Sequence, residues 1–372
     1  MRSGSYAENG EQRLIPNGPF ARHARGRDAA AAESLRDAFA YLTVAPTIAR
    51  QEDRDITVTM AVIGTDIMRG VPASLSIGRE RVRFIPLAEE KDDLVFRPDK
   101  RNGRPTLDVQ PAVDTATRLM AALANGSDID LAFAPELTVP GAAEADLQRG
   151  IAALAEHAPR IILAGSGLSV ATGPCGRHWN EARVIARGGR VLWRQRKMWP
   201  FGMQQGRAVQ YGFPDPGDQM LMEDVASDSA LSVVDLDGFG RCVVLICQDF
   251  QSRPVVDEVV ARYQPDWVLI PILDPGVKVP GWAHTRALGL SQLSQARHLV
   301  GSSLSMAHLG PGTGAEPAVG LAVGPAEPNP AGGEPSRAVA LVTAASGPTP
   351  RSAVLVWDYD PSCWGKTNIG HS

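Results

Sequence analysis

Three short segments carry residue types that could do covalent chemistry together. Val243-Val244-Leu245-Ile246 is an apolar run that ends at Cys247 and is followed by Gln248-Asp249-Phe250. Phe133-Ala134-Pro135 leads to Glu136, and Arg194-Gln195-Arg196 leads to Lys197. A thiol is reactive as its thiolate, so it needs a base to take its proton. A carbonyl under attack develops an oxyanion, which needs donors such as an ammonium or a backbone N–H. Taken singly, each residue has a plain alternative. A Cys after valines and leucines is usually a small buried hydrophobe. A Glu at a strand end is usually solvated, and a Lys between arginines usually belongs to a wet basic strip.

The surrounding pattern places all three at the ends of strands, where open α/β sheets put their ligands. Ile56–Gly64, Ile129–Ala134, Arg160–Gly167 and Trp267–Leu273 read as strands. Ala112–Asn125, Gly141–His157, Pro254–Tyr263 and His284–Arg297 read as helices. Gly188-Gly189 and Asp237-Gly238-Phe239-Gly240 each separate two β-rich runs and predict hairpins. The remaining strands are expected at Leu299–Met306, Val319–Val323, Val339–Thr343 and Ala353–Tyr359. Within its strand Lys197 shares a face with Gln195, opposite Arg194 and Arg196. That alternation suits one inward ammonium better than a uniform basic patch. Such a mixture of strands, hairpins and helices predicts mixed sheets covered by helices.

Residues 1–50 differ from the rest. They are rich in Arg and Gly, and Arg27–Leu42 reads as an Ala-rich helix, so an extended arm and helix are expected ahead of a main domain over 51–372. Pro200–Asp228 and Gly310–Arg337 read as long loops or insertions, and substrate selectivity is expected there.

Composition narrows the class. The chain has 372 residues, is 44% hydrophobic and carries a net charge of −4, enough for a sizeable core and unlike a general nucleic-acid binder. No apolar run reaches the ~18 residues of a membrane span. The N-terminus lacks the apolar core of a signal peptide. Four cysteines (Cys175, Cys242, Cys247 and Cys363) in so long a chain point to free thiols in a reducing, cytoplasmic compartment. Cys175 and His178 have a ligand-like spacing, but no second pair completes a zinc set. Gly310-Pro-Gly-Thr-Gly-Ala315 precedes a strand rather than a helix, so it is not a dinucleotide loop. Gly365-Lys366-Thr367 is too close to the end of the chain to open a phosphate-binding helix. For a Cys–His hydrolase His178, His284, His298 and His308 are the available bases, and no local motif supports any of them.

The order Phe-Ala-Pro-Glu136-Leu-Thr, Arg-Gln-Arg-Lys197-Met-Trp-Pro, Leu-Ile-Cys247-Gln-Asp-Phe resembles the nitrilase superfamily of carbon–nitrogen hydrolases. The resemblance covers most of residues 56–360. It implies an α-β-β-α sandwich of two mixed sheets with helices on the outer faces, a homodimer or larger assembly, and no metal or cofactor. It further implies Glu136 as general base, Lys197 and the Gln248 N–H as oxyanion donors, and Cys247 as nucleophile. A helix starting near Ser252 would favour the thiolate by its dipole. Gln248-Asp249 keeps the acid common in amidases, so a small amide or N-carbamoyl substrate is expected rather than a nitrile. Many members carry a second Glu soon after the Lys, and here the next one is Glu223. Trp199, Asp249 and His284 complete the candidate substrate contacts. The same thioester would also serve an acyltransferase or a glutaminase feeding a partner protein. A lapsed, binding-only relative is the non-enzymatic alternative.

Overall fold

The computed structural model describes residues 80–308 apart from 125 and 276. It also describes 10–16, 42–51, 54–64, 318–328, 335–344, 350–359 and short strands at 2–3, 7–8 and 367–371. The expected Arg27–Leu42 helix lies outside these residues apart from Leu42, which opens a strand. The glycine-rich stretch at 310–315 and Cys363 also lie outside them.

Two large sheets form the body. The first, of nine strands, runs Arg54–Ile63, Ala230–Leu236, Gly240–Val244, Trp267–Pro271, Arg297–Gly301, Ala318–Pro328 and Pro335–Thr343, with two short strands on the outer side of Arg54–Ile63. The second, of seven, runs Val191–Arg196, His178–Ala186, Ile161–Thr172, Leu131–Phe133, Arg81–Phe84, Ala353–Tyr359 and Thr367–His371. Both mix parallel and antiparallel pairs. Alternation along the strands decides the layers. Phe84, Leu131, Phe133, Leu163 and Val184 of the second sheet join the first sheet's residues in one core. Their neighbours Ala132, Ile162 and Ile185 face the other way, against Leu119, Leu123, Leu147 and Ile151 of helices Thr115–Leu123 and Glu144–Leu154. Helix Val255–Tyr263 buries Val255, Val256, Val259 and Val260 on the far side of the first sheet, and helix Trp282–Leu290 joins the same core. The result is the expected α-β-β-α sandwich.

The sheets approach closely because small residues on one accept rings from the other. A Cβ on Gly301 would lie 2.5 Å from the Phe133 ring, and one on Gly324 would lie 2.0 Å from Trp357. A buried ion pair also crosses the interface. Arg297 Nη1 lies 2.6 Å from Glu80 Oε2, and its guanidinium lies over Trp267 at 3.4 Å.

Several elements depart from the sequence reading. The strand Leu299–Met306 begins two residues earlier and ends at Gly301, and helix His284–Arg297 is observed at Trp282–Leu290. The hairpin Leu94–Arg101/Arg104–Pro111 was not expected. Its alternation is hidden by charges, since most residues of its first strand are exposed. It builds a small accessory sheet with Gly202–Met203 and Leu221–Glu223, so Pro200–Asp228 is partly ordered rather than plain loop. The described parts of residues 1–50 pack on the main body. Ile15, Ala45 and Ala49 are fully buried in the main core, Tyr263 Oη donates to Pro46 O and Arg241 to Pro16 O.

Arg297→Ala should destabilise the protein by about 3–5 kcal/mol, because it removes the buried cation that faces the Glu80 carboxylate inside the sandwich. Urea unfolding checks this, and a loss below ~1 kcal/mol would show that the pair does not brace the sheets.

Candidate active site

Glu136 lies three residues beyond strand Leu131–Phe133, on the inner side of the tight bend at Leu137. Leu137 takes φ 54°, its N–H donates to Ser166 Oγ, and the Thr138 hydroxyl donates to Pro135 O. Lys197 follows strand Val191–Arg196. Its N–H donates to Asn180 O, and its carbonyl accepts from Asp228 N. Cys247 sits three residues beyond Gly240–Val244 with φ 46°, a left-handed conformation that a Cys adopts only when its surroundings force it. Asp249 supplies that force. It is fully buried, with Oδ2 accepting from Ile246 N and Oδ1 accepting from Met198 N and Trp199 N. One carboxylate thus ties the Cys247 turn to the segment after Lys197.

These elements converge on one buried cluster. Lys197 Nζ lies 2.7 Å from Glu136 Oε1 and 2.5 Å from Glu223 Oε2. Asn180 Nδ2 donates to both glutamates at 2.9 Å. The Cys247 thiol shares this enclosure, close enough for the charges of Glu136 and Lys197 to act on it. Relative exposures are 1% for Glu136 and Lys197, 7% for Glu223 and 8% for Cys247.

Burial sets the protonation states. It pushes the Cys247 thiol well above its ordinary value, and the charge of Glu136 adds to this against the pull of Lys197. Burial also raises Glu136, with Lys197 opposing and Glu223 reinforcing the shift. Burial works against charge on Lys197, but Glu136, Glu223 and Cys247 outweigh it and hold the ammonium firmly protonated. Asp249 is pushed up to about 7 by burial, against its three backbone donors. Burial thus favours the neutral thiol at rest. The helix expected from near Ser252 begins at Val255, after a 3-10 turn over Cys247–Gln251.

Of the remaining sequence candidates, Glu223 reaches the cluster from the accessory sheet. Its strand pairs with Arg104–Pro111, and its second oxygen also accepts from Phe201 N. Gln248 is half-buried directly after Cys247. Asp249, expected to touch substrate, instead has both oxygens committed to main-chain donors. Trp199 gives its N–H to Asp249, and its ring lies under the Arg54 guanidinium at 5.1 Å. His284 is half-buried on helix Trp282–Leu290, and its Nδ1 has no hydrogen-bond partner among the described residues. No hydrogen bond or ion pair among those residues joins it to the cluster. His178 engages Ser169 O, and burial lowers fully enclosed His298 to about 3, so neither serves Cys247 as a base. Asn180 was missed. It is an inward polar residue near the start of strand His178–Ala186, and only the fold reveals its two carboxylate partners.

A two-sheet α-β-β-α sandwich with a buried Glu-Lys-Cys cluster at its strand ends is the class that the fold and site define. Solved structures of similar shape include members of the nitrilase superfamily. Nit3 of Saccharomyces cerevisiae, a branch 10 member, is 13% identical over 72% of this chain and 90% of its own, with a TM-score of 0.40. An amidase from Nesterenkonia sp. is 18% identical over 73% of this chain and 94% of its own, with a TM-score of 0.39. The glutamine-dependent NAD+ synthetase from Acinetobacter baumannii is 19% identical with a TM-score of 0.38, over 60% of this chain and 38% of its own. No protein-family model and no curated protein sequence matches the chain.

Asp249→Ala would leave three buried N–H groups without an acceptor. It should cost on the order of 3 kcal/mol and loosen Lys197 and Cys247 together. Thermal unfolding reads the first effect and turnover the second, and an unchanged melting temperature would contradict the brace.

Proposed function

We propose that this chain is a cysteine hydrolase of non-peptide carbon–nitrogen bonds, of amide or N-carbamoyl type. The observation that carries the reading is the buried Lys197, paired with both Glu136 and Glu223, in one enclosure with the Cys247 thiol. Glu136 takes the thiol proton as the sulfur attacks the carbonyl carbon. Lys197 and the Gln248 N–H are the proposed donors to the oxyanion. Collapse breaks the C–N bond, and Glu136 returns the proton to the departing nitrogen, leaving a thioester. Glu136 then deprotonates a water that attacks the thioester. The C–S bond breaks, the acid leaves, and the proton returns to sulfur.

Glu223 and Asn180 are proposed to position Lys197 and Glu136. Glu223 fills the place for which the sequence left only a distant candidate, and this weakens the case for a lapsed, binding-only chain. Acyl transfer differs only in the second acceptor, and no feature of the described residues favours it.

Cys247→Ala should fold normally and lose amide hydrolysis by on the order of 10⁴-fold or more, measured as ammonia release from a panel of amides and N-carbamoyl compounds. Undiminished turnover would sink the mechanism. The acid limb of kcat/KM should lie above the ordinary carboxylate value of 4.5, because the base must be ionised and burial raises it. Activity is then lost as pH falls through that raised value. Glu223→Gln removes a like charge beside Glu136, so it should move the limb to lower pH while slowing the reaction. A limb that stays in place or moves up would refute this coupling.

A further inference from the structure

An apolar wall abuts the catalytic cluster, and nothing in the mechanism above uses it. Phe96, Phe201, Tyr211, Phe213, Leu137 and Leu273 belong to one hydrophobic cluster that is separate from the sandwich core. It touches the chemistry at three points. Leu137 directly follows Glu136, Phe201 N donates to Glu223 Oε2 at 3.0 Å, and Glu136 N donates to the carbonyl of Ile272, the residue before Leu273. The four aromatic rings are half-buried rather than sealed. Phe96 and Phe213 lie 5.6 Å apart, and Tyr211 meets Phe213 edge-on at 6.5 Å. They come from the accessory hairpin and from the 201–213 segment, while Leu273 follows a strand of the main sheet.

The rim of this wall is polar but internally matched. Arg207 Nε donates to Tyr211 Oη at 3.1 Å, and its Nη2 lies 3.2 Å from Asp274 Oδ2. The same oxygen accepts from Trp282 Nε1 at 3.1 Å. The pair leaves the rim with balanced charge, and an apolar substituent would cover the half-buried rings.

We propose that this wall is a subsite for a bulky apolar group of the substrate, which makes the substrate class neutral amides with a large aliphatic or aromatic substituent. The proposal rests on the carbon–nitrogen hydrolase reading. Two measurements separate the two claims. Calorimetric binding to Cys247→Ala, which cannot turn over, compares acetamide, hexanamide and phenylacetamide, with N-benzylacetamide testing which side of the bond carries the group. Ammonia or amine release by the unmodified enzyme uses the same compounds. Cys247→Ser replaces the alanine variant should that not fold.

At least one bulky amide should bind about 10-fold or more tighter than acetamide. Adding Phe213→Ala should remove most of that difference and leave acetamide binding within about twofold. Equal binding across the series, or a Phe213→Ala effect that falls equally on acetamide, overturns the subsite even if every amide is hydrolysed. Should Phe213→Ala not fold, the size series alone decides. Bulky amides that bind tightly yet release no ammonia or amine leave the subsite standing and overturn the reaction.

Discussion

The site depends on one buried ammonium held between two carboxylates. Removing Lys197 from water is costly, and a single partner would return only part of that cost. Glu136 and Glu223 flank it, and Asn180 donates to both. Each partner sits on a different element, so the ion cluster can form only when three strands and the accessory sheet have all docked. The constraint also runs outward. Two glutamates this close would repel each other without the Lys, and the Lys would lose its proton more readily without them. In the proposed cycle, the group that receives the oxyanion is thereby also the group that lets Glu136 exist as a carboxylate in a closed site.

Geometry of this kind needs rigid support, and the sandwich supplies it at two levels. Between the sheets, Gly301 and Gly324 let Phe133 and Trp357 seat deeply, which fixes the strand that leads to Glu136 against the first sheet. Next to the site, Asp249 stitches the Cys247 turn to Met198 and Trp199, while Arg54 accepts no freedom on the other side by donating to the carbonyls of Met198 and Asp228. The left-handed backbone at Cys247 is held by this network rather than by its own preference.

Most helices and strands, and the segments bearing Glu136, Lys197 and Cys247, were legible because each rests on a local signal, while the sandwich arrangement came from the resemblance those segments carry. The two hairpins show as turn glycines, and the inward Lys197 shows as alternation with exposed Arg194 and half-exposed Arg196. What stayed hidden is held by long-range contact. Asn180 is one polar residue in a strand whose start is masked by Pro174, Gly176 and Trp179. Glu223 lies 26 residues from Lys197 and is brought back by a pairing with Leu107 that no local pattern announces. Asp249 looked like a substrate contact because it follows the nucleophile, yet its acceptors face inward to the chain. Sequence proximity to Cys247 signals the turn, and only the fold tells whether a side chain there serves the substrate or the backbone.

Burial explains why the thiol can rest neutral without being inert. Separating new charge in a closed site would be expensive, but the proposed cycle never changes the net charge of the cluster. When Cys247 gives its proton to Glu136, one negative charge moves from carboxylate to sulfur. Attack moves it to the carbonyl oxygen, and collapse returns it to Glu136. At each stage it remains among the same few groups, with Lys197 the fixed positive charge beside them. The raised values of both Cys247 and Glu136 then have one origin, and the shift of each acid limits the cost of passing the proton to the other. A solvated site would lower both values and weaken the donors to the oxyanion. The depth of the cluster is therefore part of the chemistry, and the half-buried apolar wall beside it is where a substrate would complete the exclusion of water.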